Sequence, residues 1–215
     1  MARKTKEEAQ ETRNAILDAA VRVFAVTGVA RASLSDIAQE AGVTRGAIYW
    51  HFTNKTDLLN TLWDQVLLLY APLAQASESR DEPDPLGKMK ALYLSFFSGL
   101  VEDSHQQQLF RILFDESDKS KETEAIRLRH ITIRQQRFQG IQTVLRNAVD
   151  RGQLPPDFDV RVGAIAVLSF IHGLVVNWIT TPDLFDIKQE APLLIEGMLR
   201  MLRAGFSCEE QETTI

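Results

Sequence analysis

Cysteine is almost missing from these 215 residues; the single one, Cys208, can close no internal disulfide. The chain must therefore be held by its own packing, and a reducing compartment such as the cytoplasm suits it. Glycine (11) and proline (7) are sparse, and the alternating valine- and threonine-rich runs of a β protein are absent, which argues against sheets joined by tight turns. The most apolar stretch, 164–179, is broken by Ser169, His172 and Asn177, and is shorter and more polar than a membrane span requires. At the start, Arg3, Lys4 and Lys6 precede Glu7, Glu8 and Gln10, not the apolar core of a leader. A soluble protein with no membrane partner is expected. Motifs of catalysis are missing too: there is no glycine-rich phosphate loop, nucleophile elbow or HExxH. Glu102 and His105 make a single Glu-x-x-His, where a di-iron bundle needs two such pairs and further glutamates. No enzyme, cofactor or metal site is expected, although a helical bundle that binds a small molecule or metal, or acts as an enzyme, stays open as the alternative.

What is present is helical periodicity. Ile16, Ala20, Val23 and Phe24 recur at helical spacing until Gly28, and Ser33 with Asp36 forms the pattern of a capping box opening a short helix that Gly42 ends. Thr44 is placed to cap a third helix over 45–51, and Asn54 a long one carrying Leu58, Leu59, Leu62, Trp63, Val66, Leu67 and Tyr70. Residues 77–85 read as a loop. Further helices are expected at about 86–102, 105–116, 122–151, 159–180 and 188–204, with Gly152, Pro155 and Pro156 closing the one over 122–151. The fold class is all-α.

Charge is unevenly distributed along this string. The net charge is −5, yet residues 1–55 hold 8 Lys+Arg against 6 Asp+Glu, and the remainder 16 against 23. A basic leading segment on an acidic body suggests that the former meets a polyanion. Within it, residues 34–53 have the spacing of a helix-turn-helix. Ala38 is small where two helices would cross closely, Gly42 tolerates the turn, and Ile37, Val43 and Ile48 are placed to lock both helices onto the first. On a helical wheel, Ile48 and Phe52 point inward, while Gly46, Ala47 and Trp50 face out, with Arg45 in the first turn and Tyr49 and His51 on the flanks. An outward tryptophan beside Gly and Ala suits a helix entering a major groove: the small residues permit close approach, Arg45 can bond a guanine edge, and the aromatic tips reach phosphates. Lys55, opening the next helix, is placed to add a phosphate contact. Two core helices joined by a glycine turn would be the plainer explanation.

The run VTRGAIYWHFTNKTDLL (43–59), with the opening MARKTKEEAQETR (1–13), resembles the TetR/AcrR family of repressors, particularly the branch controlling multidrug efflux pumps. The likeness weakens after residue 65 but continues in GQLP (152–155) and around Gly173–Trp178. It implies a three-helix DNA-binding domain over 1–55, with the helix-turn-helix at about 33–52, then a ligand-binding and dimerisation domain over 56–215. By motif, Arg45, Gly46, Ala47, Tyr49, Trp50, His51 and Lys55 are expected at operator DNA, with Ser33 and Thr44 near phosphates. The basic start, Arg3 to Lys6, is either a DNA arm or a solvated tail.

For the remainder, the resemblance implies a hydrophobic, drug-like inducer as ligand and a homodimer. The helix at 159–180 is apolar on nearly every face and must be covered all round, so it and 188–204 are expected to pair with a second copy, Ala166 and Gly173 allowing close approach. His172 and Asn177 are polar groups in apolar surroundings, and Phe96, Phe97, Phe110, Phe114 and Phe138 are a large aromatic supply. The family's pocket implies ligand contacts from Leu67, Phe97, Phe110, Phe114, His172, Val176 and Asn177; ordinary core packing is the alternative. Where many relatives carry a basic, cysteine-containing stretch after the match to Ile112–Phe114, this chain has Asp115, Glu116, Ser117 and Asp118, so redox sensing there is not expected.

Overall fold

The computed structural model describes residues 6–114 and 121–206. Arg3, Lys4, the acidic run 115–118 and Cys208 lie outside the described residues, as does the side chain of Phe114. Among the described residues there are nine α-helices and no strand: α1 (Lys6–Thr27), α2 (Leu34–Glu40), α3 (Arg45–His51), α4 (Lys55–Glu78), α5 (Pro85–Glu102), α6 (Ser104–Phe114), α7 (Lys121–Asp150), α8 (Val160–Thr180) and α9 (Ile187–Ala204). A 3-10 turn, Pro182–Leu184, joins the last two.

The helices end where local chemistry stops them. Gly28, Gly42 and Gly152 take positive φ (77°, 66° and 71°) just after α1, α2 and α7, the left-handed conformation that closes a helix and that glycine adopts without strain. Asp159 and Asp186 cap α8 and α9, each carboxylate accepting from two backbone N–H groups of the first turn. The expected loop at 77–85 begins two residues late. Ser77 is buried in the last turn of α4 with its hydroxyl donating to Ala74 O (2.7 Å), and Asn147 Nδ2 donates to Glu78 O and Ser79 O (3.2 and 3.1 Å), satisfying carbonyls at the α4 terminus.

Two compact units divide the chain. The first comprises residues 1–69 and 99–133. Its core is Ile16, Leu17, Ala20 and Phe24 of α1, Ile37 and Ala38 of α2, Ile48 and Phe52 at α3, and Leu58, Leu59 and Leu62 of α4. Helix α6 packs against α1, where His105 Nε2 lies 3.4 Å from Asp18 Oδ1. The second unit comprises 70–98 and 134–215. It is built on Leu86 and Met89 of α5, Val144, Leu145 and Ala148 of α7, Ala164 and Val167 of α8, and Ile195, Met198, Leu199 and Leu202 of α9. Along α8 the close approach falls at Gly163, where an added Cβ would come within 2.5 Å of Phe158 Cζ and 3.2 Å of Leu145 Cδ1; at Gly173 it would meet nothing within 4 Å.

Helix α8 corrects one sequence expectation. It starts at Val160, four residues before the apolar stretch judged too short, and by length and composition it is long enough to cross a membrane. Within one chain it is not covered all round: Gly163, Ala164, Val167, Val175 and Trp178 are buried, while Val162 and Ile165 are exposed.

Candidate nucleic-acid interface

The helix-turn-helix is assembled by short-range hydrogen bonds that its own sequence supplies. Ser33 Oγ accepts from Asp36 N (3.1 Å) while Asp36 Oδ2 accepts from Ser33 N (2.9 Å) and Ser33 Oγ (2.7 Å), a complete capping box at the start of α2. The Ser33 hydroxyl first, then its N–H, holds the Asp36 carboxyl below the usual carboxylate range. At the turn, Val43 N donates to Ala38 O (2.9 Å), and Thr44 Oγ1 accepts from Ala47 N (3.2 Å) to cap α3. Ser33 and Thr44 are both exposed N-caps.

Helix α3 presents two unlike faces. Ile48 and the following Phe52 are sealed in the first unit's core, whereas Tyr49 and Trp50 are 49% and 71% exposed. The Arg45 guanidinium, exposed, sits 5.9 Å from the centre of the Tyr49 ring, and Trp50 meets His51 edge to face at 4.5 Å. Gly46 is exposed and Ala47 half-buried. A Cβ on Gly46 would meet Thr44 Oγ1 at 3.9 Å, ordinary contact, so nothing among the described residues requires a glycine there.

Lys55 is placed otherwise than its spacing suggested. Its ammonium turns inward and donates to Val29 O (2.7 Å), Ala30 O (3.1 Å) and Ala32 O (3.1 Å). Other head cations also have internal work that spacing did not reveal. Arg13 lies 5.1 Å over the Phe52 ring and donates to Thr61 Oγ1 (3.2 Å), and Arg22 pairs with Glu40 (2.7 Å). Exposed Arg31, absent from the expected set, donates its Nε to Thr27 O (2.8 Å). Its place two residues before the Ser33 cap could have drawn attention to it.

The residues expected at a ligand fall in different units. Leu67 (half-buried) and Phe110 (buried) belong to the first; Phe97 (buried), His172 and Val176 (both half-buried) belong to the second. Asn177, expected in apolar surroundings, is exposed, and its backbone carbonyl caps α8 by accepting from Thr181 N (2.8 Å). Inside the second unit Tyr70, Phe96 and Phe97 form a chain of edge-to-face rings with centroids 5.4 and 5.3 Å apart, and Phe138 is half-buried. Burial pushes the Tyr93 hydroxyl pKa well up, against the opposing pull of Arg137. Among the described residues no group of three or more His, Cys, Asp and Glu is placed to hold a metal ion.

Residues 16–62 match the tetR family of bacterial regulatory proteins, and residues 84–204 match the C-terminal region of the MAATS-type transcriptional repressors. The HTH-type transcriptional regulator TtgR of Pseudomonas putida is 43% identical over 203 residues, 94% of this chain and 97% of that protein. This chain belongs to the TetR family. The AcrR regulator of Shigella flexneri is also similar, at 35% identity over 94% of both chains. Among solved structures, NalD, the secondary repressor of the MexAB-OprM multidrug efflux pump in Pseudomonas aeruginosa, superimposes with a TM-score of 0.81 at 32% identity, over 94% of this chain and all of that one. A SmeT–triclosan complex matches at TM-score 0.80 and 29% identity, over 89% and 91%. The TetR-family match at 16–62 takes in α2, α3 and the start of α4, and the C-terminal match runs through α8. The apolar α8 is thus part of a transcriptional regulator's C-terminal region.

Proposed function

We propose that this TetR-family protein is a cytoplasmic repressor of a multidrug efflux operon, released from its operator by a hydrophobic or amphiphilic small molecule. The observation that carries the DNA half is α3 itself, with Ile48 and Phe52 in the core and Arg45, Tyr49 and Trp50 displayed on the other side. A solvated helix gains nothing from such a face, whereas a major groove offers Arg45 a guanine edge and the aromatic side chains backbone to pack on. Gly46 and Ala47 let α3 approach, with Ser33, Thr44 and His51 near phosphates. The head is assigned to residues 1–55 and ligand and dimer functions to 56–215.

The efflux branch is supported by NalD, named as an efflux-pump repressor, and the inducer by SmeT, solved with triclosan. Within the second unit the inducer is assigned to Phe97, His172 and Val176, and Asn177 is the weakest member because it is exposed. A homodimer through α8 and α9 is supported by the apolar side chains those helices expose, Val162, Ile165, Leu193 and Met201. Two heads about 34 Å apart then read successive major grooves, and inducer acts by moving α4, which leads out of the head. A gel shift on the promoter upstream of the protein's own gene tests this. Retardation reversed by triclosan is expected; a folded dimer that leaves the promoter unshifted at low salt sinks the proposal.

A further inference from the structure

Lys55 is the first residue of α4, and its three ammonium protons have three acceptors within 3.1 Å, the carbonyls of Val29, Ala30 and Ala32. The carbonyls converge because Gly28, at φ 77°, turns the chain sharply after α1. The cation also lies beyond the C-terminal end of α1, where a helix favours positive charge. Ala32, itself buried, is followed at once by Ser33, the cap of α2, so whatever holds this loop holds the start of the helix-turn-helix.

The joint is reinforced on both sides. Asp57 Oδ2 accepts from Thr53 N (3.0 Å) and Asn54 Oδ1 from Asp57 N (2.8 Å), fixing the step from α3 to α4. Arg13 ties Phe52, just past α3, to Thr61 of α4. The first turns of α4 are therefore joined by Lys55 to the loop leading into α2, by Asp57 to Thr53 just past α3, and through Arg13 of α1 to Phe52. We propose that Lys55 is a positioning residue and not a phosphate contact: its ammonium clips α4 to loop 28–32, so that any displacement of α4 carries α2 and α3 with it. The functional consequence rests on the DNA-binding proposal above; the clip itself does not.

The two roles of this lysine separate experimentally in the full-length wild-type protein. Under limiting acylation without DNA, a clipped Lys55 reacts at least tenfold more slowly than exposed Lys88, and its rate does not change when the promoter duplex is added. Reaction as fast as Lys88, with protection appearing on DNA alone, overturns the clip. Two variants then read the consequence under conditions where circular dichroism shows them folded. Neither the planar fork of K55R nor the apolar K55M can supply three converging bonds, so both are expected to lose tenfold or more in promoter affinity. Random-sequence DNA is bound nearly as before, and the salt slope is unchanged. Wild-type affinity in K55M, or rescue by K55R with a K55M slope shallower by about 0.9 per head, shows Lys55 to be dispensable or a phosphate contact, and either refutes the proposal. If K55M does not fold, the footprint and K55R decide. Wild-type protein that binds no promoter defeats the DNA proposal and leaves the footprint to judge the clip.

Discussion

Ile48 and Trp50 stand two residues apart on α3 and should fail in opposite ways. Ile48 is fully buried, so Ile48→Ala leaves a cavity in the head and costs about 2–5 kcal/mol. For a chain of this size that lowers the melting temperature on the order of 5–20 °C. Trp50 is 71% exposed with His51 as its ring neighbour, so Trp50→Ala removes surface and not core. Its stability should change by less than about 0.5 kcal/mol. At DNA the order reverses. A large aromatic at the centre of an interface is worth about 2 kcal/mol, roughly thirtyfold, and two heads far apart on one operator contribute nearly additively, up to roughly a thousandfold. Melting followed by circular dichroism gives the first quantity; fluorescence anisotropy on a labelled promoter duplex, well below either midpoint, gives the second. Trp50→Ala melting as early as Ile48→Ala, or binding the promoter like wild type, would refute the assignment of faces.

Other perturbations test other parts. Arg45→Ala should weaken promoter binding by about 1–3 kcal/mol per head and relax base preference at one position per half-site, as read by binding to a panel of single-base variants. At Gly42, φ is 66° and an added Cβ meets nothing within 4 Å, so Gly42→Ala should cost about 1–2 kcal/mol of backbone strain alone in urea titration, and Gly42→Asn less. Asp84 is held below its ordinary carboxylate value by the Gln153 side chain first and the Gly87 N–H second. A depressed pKa contributes stability above the unfolded value, near 3.8, which is lost as pH falls through the folded value. Asp84→Asn should therefore melt below wild type at neutral pH, with the gap closing as pH falls past the unfolded value and through the depressed folded one.

The local part of this architecture was legible because its causes are local. The Ser33–Asp36 box, the Thr44 cap, the Gly42 turn and the inward Ile48 and Phe52 depend on neighbours within a few residues, and each was assignable from spacing. The roles of Lys55 and Arg13 were not. Their partners lie 23 to 26 and 48 residues away, and a cation that satisfies carbonyls looks in sequence like one that awaits a phosphate. The basic surplus of the first 55 residues is real, but part of it is engaged within the head. Helix α8 shows the converse limit. Its composition announces burial without saying against what, and in a single chain Asn177, Val162 and Ile165 are on the surface. The α4 terminus ran past its polar signal because Asn147, from α7, satisfies the carbonyls that a loop would have left open.

Whether α2 and α3 form a sequence-reading head is tested most directly by titrating the purified protein against its own promoter and against random duplex across a salt series. A preference of at least about a thousandfold for the promoter at physiological salt is expected, with an affinity that falls steeply as salt rises. Equal affinity for both duplexes, or no binding by a dimer shown to be folded, would contradict it.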